Sequence, residues 1–402
     1  MVGAGHAGGR AAQLLREAGW DGRILLVGDE AHAPYERPPL SKAVLTGEQD
    51  AARCALREAA AWETDRIERV HARVAALDPG AHAVVLEGGR RIGYHRLLLA
   101  TGGRARRLQV PGAELPDVLK LRTVDDALAL APRLAPGRTI VVVGGGFIGL
   151  EVAASARQRG CEVHVVEGGE RLLGRAVPQP IAARVERLHR RQGVAFTIGT
   201  MPTAIERTAA GLEVRMADGA VLPADTVVVG IGIEPAVELA RDAGLALGRG
   251  IRVDATLQTS APAVYAIGDA AEFPSPLSGE PIRLETWHNA ETQARTAARN
   301  LLGAAERYSE PMWFWSDQYD HQLQVAGEPA LAAGTITRAL GADGELNFHL
   351  GADGRLVGAS GFGRSSEAAR ELKIARMLVE RRAAPEPARL QDPATKLKSL
   401  LA

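Results

Sequence analysis

The chain has 402 residues, 46% of them hydrophobic and 24% charged, and its 48 basic side chains balance its 48 acidic ones. That length predicts two to three domains with ample core, and the zero net charge gives no electrostatic reason to expect nucleic acid or an anionic membrane surface as partner. Cys54 and Cys161 show neither CxxC nor metal spacing, and no signal peptide or membrane-spanning apolar run is visible, so a cytoplasmic protein without a bound metal is expected.

The first element is Gly3-Ala4-Gly5-His6-Ala7-Gly8, a glycine turn opening a helix in which Ala12 takes the small packing position. A strand follows at 24–27 and ends in Gly28-Asp29-Glu30, where Asp29 or Glu30 is placed to accept from a ribose hydroxyl. Only Met1 and Val2 precede the turn, so the first strand is nearly absent; a start lying upstream explains this better than a sheet lacking most of a central strand. His6 reads as a neutral histidine packed near a phosphate. Tyr35 to Lys42, YERPPLSK, predicts a proline-stiffened turn; taken alone, it is a rigid surface loop whose Ser41 caps a helix.

Residues 70–99 are β-rich, with turns at Asp78-Pro79-Gly80 and Gly88-Gly89, and end in a buried strand running into Thr101-Gly102-Gly103. Pro111-Gly112 and Pro116 mark a boundary before Arg122-Thr123, a capped helix start. The stretch at 140–167, IVVVGGGFIGLEVAASARQRGCEVHVVE, is the dinucleotide fingerprint in full: strand, glycine turn, helix, strand, terminal acid. Gly144 permits the tight turn, Gly146 lets backbone approach a pyrophosphate, and Gly149 lets helix and strand pack closely. Glu167 would accept from a 2′-hydroxyl and repel a 2′-phosphate, which favours NADH over NADPH. Cys161 reads as a small buried apolar residue. Val264 to Asp269 is a strand ending in Gly268-Asp269, suited to a polyol or pyrophosphate. Trp287, Trp313 and Trp315 cluster in a chain with 4% aromatics, which suggests a shared place. Arg295, Arg299 and Arg307 read equally as a solvated helix face or as part of a footprint for an acidic partner. Two fingerprints imply two dinucleotides, most simply FAD and a nicotinamide, between which hydride passes readily.

These motifs together resemble the FAD-dependent pyridine nucleotide reductases. The likeness is strongest to the ferredoxin reductases of the putidaredoxin reductase and biphenyl dioxygenase reductase type, which serve P450 and ring-hydroxylating dioxygenase systems. The segments carrying it are GAGHAG at 3–8, RPPLSK at 37–42, LLLATGG at 97–103, LRTVDDA at 121–127, VVVGGGFIGLE at 141–151, VYAIGDAA at 264–271, ETWHNAETQA at 285–294 and WFWSDQYD at 313–320. The resemblance implies an α/β fold with two Rossmann-like domains: an FAD domain (1–112 and 238–310) split by an inserted NAD domain (113–237). A smaller α+β C-terminal domain (311–402) follows, with a mixed sheet and a helix around 366–382.

It also implies roles. Gly3, Gly5, Ala7, Gly8 and Asp29 would hold the FAD pyrophosphate and adenosine ribose, with Arg37 nearby and the Val74 backbone at the adenine. Thr101, Gly102, Arg122, Gly268 and Asp269 would line the same cofactor, and Trp287 would lie against its ring end. For NADH the positions are Gly144, Gly146, Phe147, Ile148, Gly149, Glu167, Arg175 and Gly230, with Glu285 close to the nicotinamide. Glu234-Pro235-Ala236 departs from the family's usual Pro-Asn, and Ala236 loses an amide there. Lys42 and Glu151 would meet beside the flavin, the ammonium supporting charge on the reduced ring and the carboxylate holding the lysine. Relatives that reduce disulfides place cysteines after the first domain's turn; PPLSKAVLTG has none, so electrons would leave singly to an external carrier. The implied function is NADH-dependent reduction of a small acidic [2Fe–2S] ferredoxin by a monomer or weak homodimer. A rubredoxin reductase, or a slow flavin-based NADH sensor resembling apoptosis-inducing factor, is the alternative.

Overall fold

The computed structural model describes residues 1–174, 176–341 and 343–401, apart from the side chains of residues 366 and 367. The chain divides into two compact units: Met1–Glu36, Cys54–Arg104 and Glu234–Met312 form the first, and Arg37–Arg53, Ala105–Ile233 and Trp313–Ala402 the second.

The first unit is built on a parallel sheet. Strand Ile24–Gly28 pairs with Ile67–His71, and Leu97–Leu99 pairs with Val264–Ala266. Val2 bridges Val27 on one side and Leu99 on the other, so a single residue fills the central position between the two pairs. Its N–H donates to Leu98 O at 2.8 Å, and the N–H of Gly3 donates to Val27 O at 2.8 Å. Helices His6–Glu17 and Trp287–Leu301 pack together, and a three-stranded antiparallel sheet (Val74–Asp78, Ala83–Leu86, Arg91–Gly93) completes the unit. The strands Leu97–Leu99 and Val264–Ala266 are buried at every position, as parallel strands covered on both faces must be.

In the second unit a five-stranded parallel sheet runs in the order Ala195–Ile198, Glu162–Glu167, Thr139–Val143, Thr226–Val229, Val118–Lys120. The β-branched run Thr139–Val143 is its centre, with Ile140 to Val143 all buried. Helix Val124–Leu130 starts on a reciprocal cap: Asp126 N–H donates to Thr123 Oγ1 at 3.1 Å and Thr123 N–H donates to Asp126 Oδ2 at 2.9 Å. A second, five-stranded sheet has the order Trp313–Gln318, His321–Gly327, Leu356–Arg364, Gly344–Leu350, Gly334–Leu340. All four of its pairings are antiparallel, where a mixed sheet was expected. Tight connections such as Tyr319-Asp320 turn the chain straight back, and a parallel pair would need a long crossover. Its middle strand is rich in small residues so that helix Ser365–Glu380 can lie on it; a Cβ at Gly361 would fall 2.5 Å from Leu372 Cδ2. No helix among the described residues is long and apolar enough to cross a membrane.

Candidate active site

The fingerprint of the second unit has the geometry its glycines were expected to need. Gly144 has φ +113°, and a Cβ there would lie 2.4 Å from Gly230 O. A Cβ on Gly149 would lie 2.0 Å from Gly144 O, so helix Phe147–Gln158 can meet the turn only through a glycine. At Gly146 nothing lies within 4 Å, which leaves an open cradle at the helix N-terminus of the kind a pyrophosphate fills. Glu167 closes the strand beside it: Oε2 accepts from Gly145 N–H and Oε1 from Gly169 N–H, both at 2.7 Å. Phe147 is half-buried edge-on to Phe314, and Ile148 is exposed. Arg175 lies outside the described residues.

The first unit repeats the arrangement. Gly3 has φ +105°, and a Cβ on Gly8 would lie 1.9 Å from Gly3 O. His6, on the first turn of its helix, faces Glu291 Oε2 through Nε2 at 3.2 Å and packs against Trp287. Its Nδ1 is buried and has no hydrogen-bond partner. Gln293 is likewise half satisfied: Oε1 accepts from Gly268 N–H at 2.8 Å, while the buried Nε2 has no partner. Two orphaned buried nitrogens flanking a glycine cradle fit a bound polar group such as the FAD diphosphate. Asp29 is exposed at its strand end, whereas Glu30 accepts from Tyr35 OH. Thr101 Oγ1 donates to Ala236 O at 2.7 Å, and the Ala236 N–H donates to Gly102 O at 2.9 Å; the backbone of Ala236 therefore keeps this turn without an amide side chain. Arg283 pairs with Glu285 at 2.7 Å and donates to Asp269 O at 2.9 Å. Val74 is buried in its strand.

Lys42 and Glu151, 109 positions apart in the sequence, meet within the second unit. Lys42 Nζ lies 3.2 Å from Glu151 Oε1 and 3.9 Å from Asp317 Oδ2. Glu151 is 4% exposed, on the buried face of helix Phe147–Gln158. Ser41 does not cap a helix, as a local reading of the turn suggests. It is 1% exposed, its Oγ donates to Glu151 Oε2, and Ser155 Oγ donates to Ser41 O at 2.7 Å. Ser316 Oγ donates to Glu151 Oε1 at 2.6 Å. The carboxylate thus has two hydroxyl donors and an ammonium, which is what a buried anion requires. Arg37 is used structurally: its Nη1 donates to the Arg122 carbonyl at 2.5 Å, tying the turn to the start of helix Val124–Leu130.

Local sequence spacing does not reveal Ser316, nor the residues behind it. Gln318 Nε2 donates to Ser316 Oγ at 2.8 Å, and His189 Nε2 meets Gln318 Oε1 at 2.8 Å. Burial pushes His189 down to about 4, so its imidazole is neutral near pH 7. The one available signal was the inward period of two along Phe314, Ser316 and Gln318. Trp313 and Trp315 stack at 5.0 Å, and Arg376 lies over the Trp313 ring; Trp287 belongs to the other unit. Cys54 and Cys161 are both buried and outside any disulfide, and burial raises Cys161 against an opposing hydrogen bond to Ala135 O. The described residues hold no cluster suited to a metal ion.

Two dinucleotide cradles and a Lys–Glu pair whose carboxylate is buried define a two-nucleotide flavoprotein reductase. Residues 1–294 match the family model for pyridine nucleotide-disulphide oxidoreductases, and residues 313–401 match that for the reductase C-terminal domain. The chain belongs to the pyridine nucleotide-disulphide oxidoreductase family, whose enzymes use FAD and NAD(P)H. It is 43% identical over 403 residues to the ferredoxin–NAD(+) reductase component of the anthranilate 1,2-dioxygenase system of Burkholderia cepacia, covering 100% of this chain and 98% of that one. With the corresponding component of the biphenyl dioxygenase system of Paraburkholderia xenovorans it shares 37% identity over 100% of this chain and 97% of that one. Among solved structures, the ferredoxin reductase for the CYP199A2 system of Rhodopseudomonas palustris has a TM-score of 0.94 at 40% identity, covering 100% and 98% of the two chains. Putidaredoxin reductase in its covalent complex with putidaredoxin has a TM-score of 0.93 at 36% identity, covering 100% and 97%.

Proposed function

We propose that this protein is the NADH-dependent flavoprotein that reduces a small acidic [2Fe–2S] ferredoxin serving a P450 or ring-hydroxylating dioxygenase. The observation that carries the reading is the Lys42–Glu151 pair at 3.2 Å, with Lys42 in a segment, PPLSKAVLTG, that contains no cysteine. NADH gives up a hydride, which is two electrons and a proton; each ferredoxin takes one electron, so two carriers are reduced and one proton is released per NADH. Bound FAD supplies the conversion from paired to single electrons, which no protein side chain here can perform. The chain's own part is to bind and to set charge. Gly146 and Glu167 orient the coenzyme, Lys42 supplies a positive charge, and Glu151 holds that lysine in place. With both cysteines buried, no exposed protein thiol takes the electrons.

The domain arrangement that suits this function is an FAD domain of residues 1–112 and 238–310, an NAD domain of 113–237 and a C-terminal domain of 311–402. The carrier's acidity is supported by exposed Arg295 and Arg307; Arg299 is already engaged with Glu306 at 2.8 Å. A cytoplasmic monomer or weak homodimer suits exchange with a diffusing partner. The test is anaerobic: the FAD-loaded protein should be bleached by NADH and should reduce cytochrome c only when a [2Fe–2S] ferredoxin is added. Bleaching without transfer to any [2Fe–2S] ferredoxin, or transfer to rubredoxin alone, would reject the partner assignment. Failure to bind FAD would reject the enzyme assignment.

A further inference from the structure

Behind Glu151 runs a string of polar side chains with no exposure: Ser316, Gln318 and His189 are each 0% accessible. The direction of every hydrogen in it follows from the carboxylate. Glu151 can only accept, so Ser316 Oγ–H points at Oε1 at 2.6 Å. The serine oxygen then accepts from the Gln318 amide N–H at 2.8 Å. That turns the Gln318 carbonyl toward His189, whose Nε2 must carry the hydrogen, at 2.8 Å. Nδ1 is left as an acceptor, and Tyr319 OH lies 3.4 Å from it. All the donors are therefore aligned toward one anion, and neighbouring bonds in such a chain polarise one another.

Apolar residues would fill these inward positions at less cost, since each buried polar group is tolerated only when fully partnered. Phe314, two residues before Ser316 on the same face, and Leu323, paired with Ser316 across the strands, show that the site accepts them. The string also joins three separate segments: helix Gln179–Arg191, strand Trp313–Gln318 and helix Phe147–Gln158. We propose that His189 and Gln318 are positioning residues that act through Ser316 to fix the Glu151 carboxylate, and through it the Lys42 ammonium, in the geometry that NADH oxidation requires. The proposal rests on the reading of Lys42 and Glu151 as the electron-transfer site.

The experiment is a double-mutant cycle on the FAD-loaded protein, followed by stopped-flow reduction with NADH and by flavin potentiometry. Gln318→Met keeps the side-chain length and removes both polar atoms. It should slow the limiting reduction rate by about 3- to 10-fold, the scale of one lost hydrogen bond, and shift the midpoint potential, with the NADH dissociation constant unchanged. In a Glu151→Gln background the same change should have no further effect, because the carboxylate it serves is gone. His189→Gln, which retains an N–H near the Nε2 position, should stay close to the unmodified rate, while His189→Leu should match Gln318→Met. Ser316→Ala, a smaller excision, serves the same cycle if Gln318→Met does not fold. An equal loss from Gln318→Met in both backgrounds, or equal loss in His189→Gln and His189→Leu, would reduce the string to packing and overturn the proposal. If Glu151→Gln slows reduction and Gln318→Met does not, the string alone is refuted. If Glu151→Gln is itself without effect, the reading of the site fails as well.

Discussion

Glu167 should decide the coenzyme, and simple electrostatics sets the size of the effect. Its two oxygens are held by the N–H groups of Gly145 and Gly169, each at 2.7 Å, so the carboxylate cannot swing aside to admit another anion. Each oxygen retains a lone pair for a ribose hydroxyl. Two unit charges about 5 Å apart repel by roughly 3 kcal/mol at an effective dielectric of about 20. Glu167 is only partly buried, and solvent screening reduces this to about 1.5–2 kcal/mol. At about 1.4 kcal/mol per factor of ten, kcat/KM for NADH should exceed that for NADPH by at least tenfold. Glu167→Gln removes the charge at nearly constant shape. NADPH should then improve about tenfold, while NADH loses a few-fold as one of the two backbone N–H groups loses its anionic partner. Steady-state kinetics with both coenzymes on both proteins is the assay. Equal use of NADH and NADPH by the unmodified enzyme would show that this carboxylate does not face the ribose.

Acid should unfold the second unit early, because His189 and His349 are both pushed from 6.5 down to about 4 by burial. The folded state refuses protons that the unfolded chain accepts below pH 6.5, so stability is intact above that value and falls as pH drops toward 4. Each histidine should cost about 2 kcal/mol by pH 5; denaturant titrations at pH 7.5 and 5 should show the drop, and His349→Gln should shrink it. Buried Arg338 donates to the carbonyls of Asp392 at 2.6 Å, Pro393 at 3.1 Å and Thr395 at 2.7 Å. Arg338→Leu should cost about 3 kcal/mol and free the C-terminal tail for proteolysis, while NADH still reduces the flavin; an unchanged Tm and cleavage pattern would contradict that role.

Where a residue's role follows from its neighbours in sequence, it was legible. Gly144 is imposed by a positive-φ turn and Gly149 by the helix that packs onto that turn a few residues on, so their spacing announces the fold. The same logic found the first cradle and its nearly absent strand, where a single residue, Val2, bridges both neighbours in the sheet. Local sequence makes Ser41 look like a helix cap, because capping is local, whereas its partner Glu151 lies 110 positions away. His189 and Gln318 are 129 apart and carry no motif, so only the folded chain brings them together. The tryptophans divide on the same principle. Trp313 and Trp315 stack because alternate residues of one strand share a face, while Trp287 opens a helix of the other unit beside His6. Lys42 and Glu151 were legible only through likeness to a family, and their meeting at 3.2 Å is the contact on which the account turns.

That contact can be tested by measuring the flavin midpoint potential and the rate of reduction by NADH in Lys42→Met, Glu151→Gln and the double variant. If Lys42 supports negative charge at the flavin, Lys42→Met lowers the potential and slows reduction, and Glu151→Gln has the smaller effect on potential. The two changes are then non-additive, because losing either partner already breaks the pair. An unchanged potential in Lys42→Met, or strict additivity of the two substitutions, would place the pair away from the flavin and leave RPPLSK as a stiff turn.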